Sequence, residues 1–230
     1  MDASFVCQSR YPCGILLAGQ LSAKSTKKAL FESENMETLL SFAVGIGLSA
    51  ACGFRVFVPL LAVSLASMAG HLHLSPGFEW ISTYPALIAF AIATVVEVAG
   101  YYIPWVDHAL DTLATPAAIV AGTIITASMA TDVSPFLKWT LAVIAGGGVA
   151  GVVQGTTVLT RSACTATTGG IANPLFATIE LGGAVVTSIL AIVVPLIALV
   201  LVSALLYFLA RRILRRTPQR PEGAIRPPLG

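Results

Sequence analysis

Long apolar runs separated by short polar clusters fill the chain from residue 38 to residue 210. The charged side chains in this region are Arg55, Glu79, Glu97, Asp107, Asp111, Asp132, Lys138, Arg161 and Glu180. Runs of this length read as membrane-spanning helices. The first run, residues 38–70, would extend roughly 50 Å as helix against a hydrocarbon core about 30 Å thick, so it must tilt, protrude or break. Gly53 and Pro59 bracket the expected break, since glycine loosens a helix and proline removes a backbone donor. Arg55 lies inside that weak point.

After a loop over 71–83, whose Phe78 and Trp80 suit a membrane interface, a second span is predicted over 84–103 with Glu97 near its end. A polar segment over 104–116, carrying Trp105, Asp107, His108 and Asp111, precedes a short third span over 117–130, and 132–138 reads as a loop. The fourth run, 139–160, holds Gly147, Gly151 and Gly155 at four-residue spacing, the small-residue ladder that lets membrane helices approach closely, within one chain or in a homo-oligomer. It leads into Arg161 and a Ser, Thr, Gly and Asn-rich stretch over 162–173, where a lipid-facing helix is not expected. The last run, 174–210, is long enough for one span plus a re-entrant or interfacial piece. The pattern thus predicts an all-α polytopic transmembrane helix bundle of about five spans, with the first and fourth helices broken. Shifting the fourth run by 106 positions lays Ser41, Gly45, Ser49 and Arg55 over Gly147, Gly151, Gly155 and Arg161. If three crossings separate the two units, they form an inverted repeat.

Composition supports the same class. Of 230 residues, 56% are hydrophobic and 10% charged, whereas soluble domains carry about 25% charged residues to face water. A net charge of +2 is too small to point to nucleic acid. Residues 1–35 are polar, hold no segment able to cross a bilayer, and read as a poorly ordered extension before Met36, a possible natural start. The transmembrane domain covers 36–210. The tail, 211–230, carries Arg211, Arg212, Arg215, Arg216, Arg220 and Arg226 and reads as disordered and cytoplasmic. Cys7, Cys13, Cys52 and Cys164 have neither zinc-ligand nor disulfide-framework spacing, and no cofactor is indicated.

The segments GLSAACGFRVFVP (47–59), Glu97 with Pro104, Asp107 and Asp111, and TTGGIANP (167–174) resemble the bacterial membrane family catalogued as domain of unknown function 4126. The resemblance covers roughly residues 37–210. It implies a polytopic inner-membrane protein and transfers no catalytic or binding residues.

Candidate chemistry therefore comes from the residues. Arg55 and Arg161 would each be costly in hydrocarbon, by about 2.5–3.5 kcal/mol on insertion scales. They should either line a site for an anion or a lipid phosphate, pair internally with Glu97 or Glu180, or reach the headgroups. Glu97 and Glu180 suit proton carriage or charge balance. Asp107 and Asp111 could hold a cation with water, or cap the third span. His71 and His73 read as solvated loop residues. Thr168, Gly169, Gly170 and Asn173 belong to a stretch that either exposes backbone groups to an aqueous cavity or forms an ordinary loop. No G-x-S-x-G, H-E-x-x-H or P-loop pattern occurs, so the chain does not read as an enzyme. The leading expectation is a permease or channel for a small solute, ion or lipid, with a site around Arg55, Arg161, Glu97 and Glu180. A non-transporting scaffold is the alternative, and a lipid-modifying enzyme using Asp107 and Asp111 stands behind it. The arginine cluster generates a direct test: alkaline phosphatase fused after Arg216 should be inactive, and strong activity would reverse the orientation.

Overall fold

The computed structural model of the chain describes residues 32–33, 36–131, 133–169 and 171–216, among which there is no strand. The expectations for most of the 1–35 extension, for Asp132 and Gly170, and for the tail beyond Arg216 lie outside the described residues. Met1–Leu39 and Leu40–Gly230 form separate units. In the first, residues 32–33 and 36–39 are helical; the second holds the bundle.

Proline sets where the helices of the bundle begin. Helix α1 is Met36–Cys52 and α2 is Phe57–Met68. Helix α3, Tyr84–Gly100, starts with Pro85 in its first turn, and Thr83 Oγ1 accepts the Ala86 amide. Pro104 opens α4 (Pro104–Met129) and Pro135 opens α5 (Pro135–Leu141). A π-helical segment, Ala142–Gly147, joins α5 to α6, Gly148–Thr168. Pro174 lies in the first turn of α7 (Asn173–Val193), and α8 starts at Pro195 and runs to Arg216. At each such position the missing proline N–H is one a helix start leaves unbonded anyway, and the fixed φ suits the first turn.

Contacts give the helix directions. Gly45 of α1 faces Thr126 and Met129 of α4, while Ser49 Oγ donates to the Gly122 carbonyl at 2.8 Å, so α1 and α4 are antiparallel. The Val56 and Phe57 amides meet Glu97 near the end of α3, whereas Ser64 Oγ donates to the Ile81 carbonyl just before α3 begins. Helix α2 is therefore antiparallel to α3. The pair α1–α2 is a hairpin that enters and leaves at one end of the bundle, where Ser75 N–H donates to the Ser128 carbonyl and Lys138 bonds Ser75. At the opposite end lie the α3–α4 and α6–α7 turns. As helices, α1 and α2 measure about 25 Å and 18 Å, and α3, of the same length as α1, about 25 Å, against a hydrocarbon core of about 30 Å. The core around the hairpin is small and close-packed: Leu48, Cys52, Val63, Ile81, Ala118 and Ile125 are all fully buried.

The predicted break between Gly53 and Pro59 is present, but several boundaries are corrected. The polar segment 104–116 is helical, and α4 is one 26-residue helix with Pro116 inside it. Within the helices of a membrane bundle an internal proline is tolerated. Helix α6 likewise continues to Thr168. Its hydroxyls bond back along the helix, Thr167 to the Ala163 carbonyl and Thr168 to that of Cys164, which removes the polar objection to helix. It ends at Gly169, whose φ of 64° is left-handed and whose amide reaches the Thr165 carbonyl. The last run is two helices divided before Pro195, and the basic segment up to Arg216 belongs to α8 rather than to a disordered tail; cations suit a helix C-terminus.

The inverted repeat is also corrected. Gly146 packs on Gly122 and Thr126, and Gly151 packs on Ile119, so α6 too is antiparallel to α4. Helices α1 and α6 therefore run parallel, whereas an inverted repeat would oppose them. The glycine ladder is used within the chain in part: Gly147 and Gly151, joined by Gly146, face α4, while a Cβ on Gly155 would meet nothing within 4 Å.

Three helical stretches are long and apolar enough to cross a membrane, Ala109–Met129, Pro135–Thr168 and Asn173–Val193. Apolar side chains such as Ile179, Val186 and Leu159, the last 71% exposed, point away from the bundle. That outward surface suits lipid.

The close contact between α4 and the π segment yields a paired test. A Cβ on Gly146 would overlap Thr126 Oγ1 and lie 2.5 Å from the Gly122 carbonyl, so Gly146→Ala should lower thermal stability in detergent by about 1–3 kcal/mol. Gly155→Ala should leave stability equal or raise it, by up to about 1 kcal/mol. Equal effects at the two glycines would contradict this packing.

Candidate buried charge site

The hairpin tip is built from residues that accept no alternative. A Cβ on Gly53 would fall 2.5 Å from Val153 Cβ and 2.8 Å from the Ala150 carbonyl, so only glycine lets the chain turn against α6. The turn places the first amides of α2 inside the bundle, where water cannot bond them. Glu97 supplies the acceptors: Oε1 takes the Val56 amide at 2.8 Å and Oε2 the Phe57 amide at 3.1 Å. A carboxylate here also sits at the positive end of the helix dipole. Glu97 thus occupies the place of a bound anion at the start of α2.

Arg55 and Arg161 meet on opposite faces of Tyr101, with guanidinium carbons 3.8 Å and 4.0 Å from the ring centroid. Arg161 Nε donates to Glu180 Oε1 at 3.1 Å, its Nη2 bonds Glu180 Oε2, and Nη1 reaches Asp111 Oδ1 at 3.2 Å. Arg55 Nη2 donates to the Ala177 carbonyl at 2.9 Å and lies 3.8 Å from Glu180 Oε2. Arg55, Arg161, Glu97 and Glu180 are each no more than 6% exposed. Two guanidiniums and three carboxylates therefore share one volume. Glu180 bridges the arginines, and the electron-rich faces of Tyr101 favour both cations.

The other expected site residues lie apart. Thr168 and Gly169 are exposed at the end of α6, and Asn173 bonds Thr165 through its side-chain amide at 3.1 Å. Residues 165–168 are therefore helix, and 171–172 form a turn before α7. Asp111 lies within α4 rather than at its start, so it does not cap the helix, and it is the second acceptor of Arg161; the side chain of Asp107 lies outside the described set. Sequence reading missed Tyr101 and the Ala177 carbonyl. Tyr101 stands four residues after Glu97, a same-face spacing that was the available signal.

Beside Glu180, a cavity of about 180 Å³ opens between α6, α7 and α8, lined also by Phe54, Thr156, Thr160, Phe176 and Leu205. The hydroxyls of Thr156 and Thr160 donate to their own helix at 2.8 Å. The cavity is apolar apart from its Glu180 edge.

With this geometry in view, comparison with known families is decisive on membership: the model of the family described as domain of unknown function (DUF4126) matches residues 42–216, and the chain belongs to it. No curated protein and no solved structure matches the chain.

The coupling of Arg161 with Glu180 is measurable. Arg161→Leu leaves a buried carboxylate short of its main partner and should cost about 3–5 kcal/mol of stability. Combining it with Glu180→Leu should recover much of that loss, read from unfolding in detergent. Strictly additive losses would show that the two side chains do not act as a pair.

Proposed function

We propose that this chain is an inner-membrane permease or channel for a small cation or uncharged solute, with five crossings and one re-entrant hairpin. The crossings are α3, α4, α5–α6, α7 and α8, and α1–α2 is the hairpin. The arginine-rich end of α8 sets the C-terminus in the cytoplasm, which puts the Lys138 end of the bundle outside. One observation carries the reading: the tip of a hairpin whose two arms start and end on the same side rests on a buried cluster of five ionisable side chains. Irregular backbone and buried charge at membrane depth are costly, and both accompany solute pathways.

The charge balance bears on the solute. Carboxylates outnumber guanidiniums by three to two, and Glu97 fills the position that a solute anion would take at the start of α2. A cation or a neutral solute fits this better than an anion or a lipid phosphate. The mutual pairing of Arg161, Glu180 and Asp111 favours one second reading, a rigid scaffold with no transported solute.

Reconstitution separates the two. Proteoliposomes screened with sodium, potassium, protons and small neutral solutes should show flux of at least one above protein-free vesicles, and Glu180→Gln or Asp111→Asn should reduce it by about tenfold or more, an energy of roughly 1.4 kcal/mol. Folded protein that moves none of them leaves the scaffold reading in place.

A further inference from the structure

We infer that the α1–α2 hairpin is a gate that opens toward the Lys138 end of the bundle, and that the Glu97 carboxylate on the α2 amides is its latch. The inference deepens the permease reading, on which its purpose rests; the movement itself is measured without flux.

Four observations converge on the hairpin. Both of its arms enter and leave at the same end, so it can shift without dragging a crossing helix through the membrane. Its charged ties lie at the tip, Glu97 to the Val56 and Phe57 amides and Arg55 to the Ala177 carbonyl and Glu180, while Ser49 and Ser64 hold the arms by neutral hydroxyl bonds to Gly122, Thr126 and Ile81. Away from the tip, α1 also meets its neighbours through small groups, Gly45 on Thr126 and Gly47 on Ala191 and Ala198. The hairpin also closes one side only. Toward the Lys138 end the cluster is covered by Leu48, Cys52, Val63 and Ile125, all at 0% exposure, whereas Asp111, on the opposite side, has a side chain 14% exposed. Phe54 at the tip forms part of the wall of the cavity beside Glu180. Withdrawing the tip would join that cavity to the space the hairpin leaves, completing a path past the charge cluster.

Helix α1 carries its own reporter, because Cys52 is a free, fully buried thiol at the last residue before the tip. In a chain whose Cys7, Cys13 and Cys164 are replaced by serine, a membrane-impermeant maleimide should label Cys52 slowly and from the Lys138 side. Glu97→Gln, which keeps the shape but replaces one acceptor by a donor, should speed labelling at least tenfold, with Glu97→Asp in between. A Glu97→Gln protein that elutes and melts as the parent does but labels no faster overturns the latch, and labelling only from the Gly169 side overturns the direction. Should Glu97→Gln not fold, hydrogen exchange on the unaltered chain decides. Amides of residues 53–60 should exchange at least tenfold faster than those of 118–128, and equal protection of the two segments overturns the gate. Accelerated labelling without flux of any solute would keep the hairpin movement and remove the permease reading. Flux without accelerated labelling would do the reverse.

Discussion

A helix that begins within a hydrocarbon layer leaves amides that water cannot reach, and the start of α2 has this problem at the centre of the bundle. The Glu97 carboxylate solves it with two acceptors and a negative charge at the positive end of the helix dipole. Much of the architecture follows from that contact. Glu97 must lie opposite the α2 start, so α3 must run alongside α2 in the reverse direction, and the loop 71–83 must bring the chain back over the Lys138 end. Because Glu97 lies one turn before the end of α3, Tyr101 emerges just beyond it, and its ring becomes the surface on which both arginines settle.

The two arginines need more than that ring. Each would cost about 2.5–3.5 kcal/mol at the centre of a bilayer on insertion scales, and placing two of them one ring apart adds repulsion. Glu180 answers both costs by bonding Arg161 with both oxygens along one edge of the guanidinium while standing 3.8 Å from Arg55. A cluster of this kind holds only if the helices around it come close, which explains the glycines: Gly53 against Val153, and Gly122 against Gly146, bring α1, α4 and α6 to a separation that larger side chains would prevent. Charge pairing and small-residue packing are thus one device, since neither geometry survives without the other.

The features legible in the sequence are those governed by cost. The break around Arg55 was readable because glycine, arginine and proline together in an apolar run admit no unbroken lipid-facing helix. Arg55, Arg161, Glu97 and Glu180 could be grouped because isolated charges in lipid must find one another. Local composition misled where a neighbour decides the outcome. Pro116 looks like a boundary and lies within α4, and the threonines of 165–168 look like a loop until their hydroxyls bond back along α6. The bonds of Glu97 to two backbone amides some forty residues away leave no mark in the side-chain pattern. The spacing of Ser41, Gly45, Ser49 and Arg55 against Gly147, Gly151, Gly155 and Arg161 was real, yet spacing carries no direction, and the two helices run parallel.

That parallel arrangement bears on mechanism. Transporters built from inverted repeats expose a central site alternately, because each half can repeat the motion of the other in the opposite sense. Here Arg55 stands in a turn between two short helices, while Arg161 lies within the unbroken α6, well before its end at Thr168. No symmetry exchanges them; what brings them together is the shared carboxylate and the shared ring. Among the described residues, the Gly169 end has no hairpin corresponding to α1–α2. Under the permease reading, the two sides of the charge cluster therefore have different barriers: a movable hairpin toward Lys138, and toward Gly169 only the side chains around Asp111. Such a bundle is suited to conduction controlled by a single gate rather than to alternating access, because only one of its barriers can be withdrawn without unpacking a crossing helix.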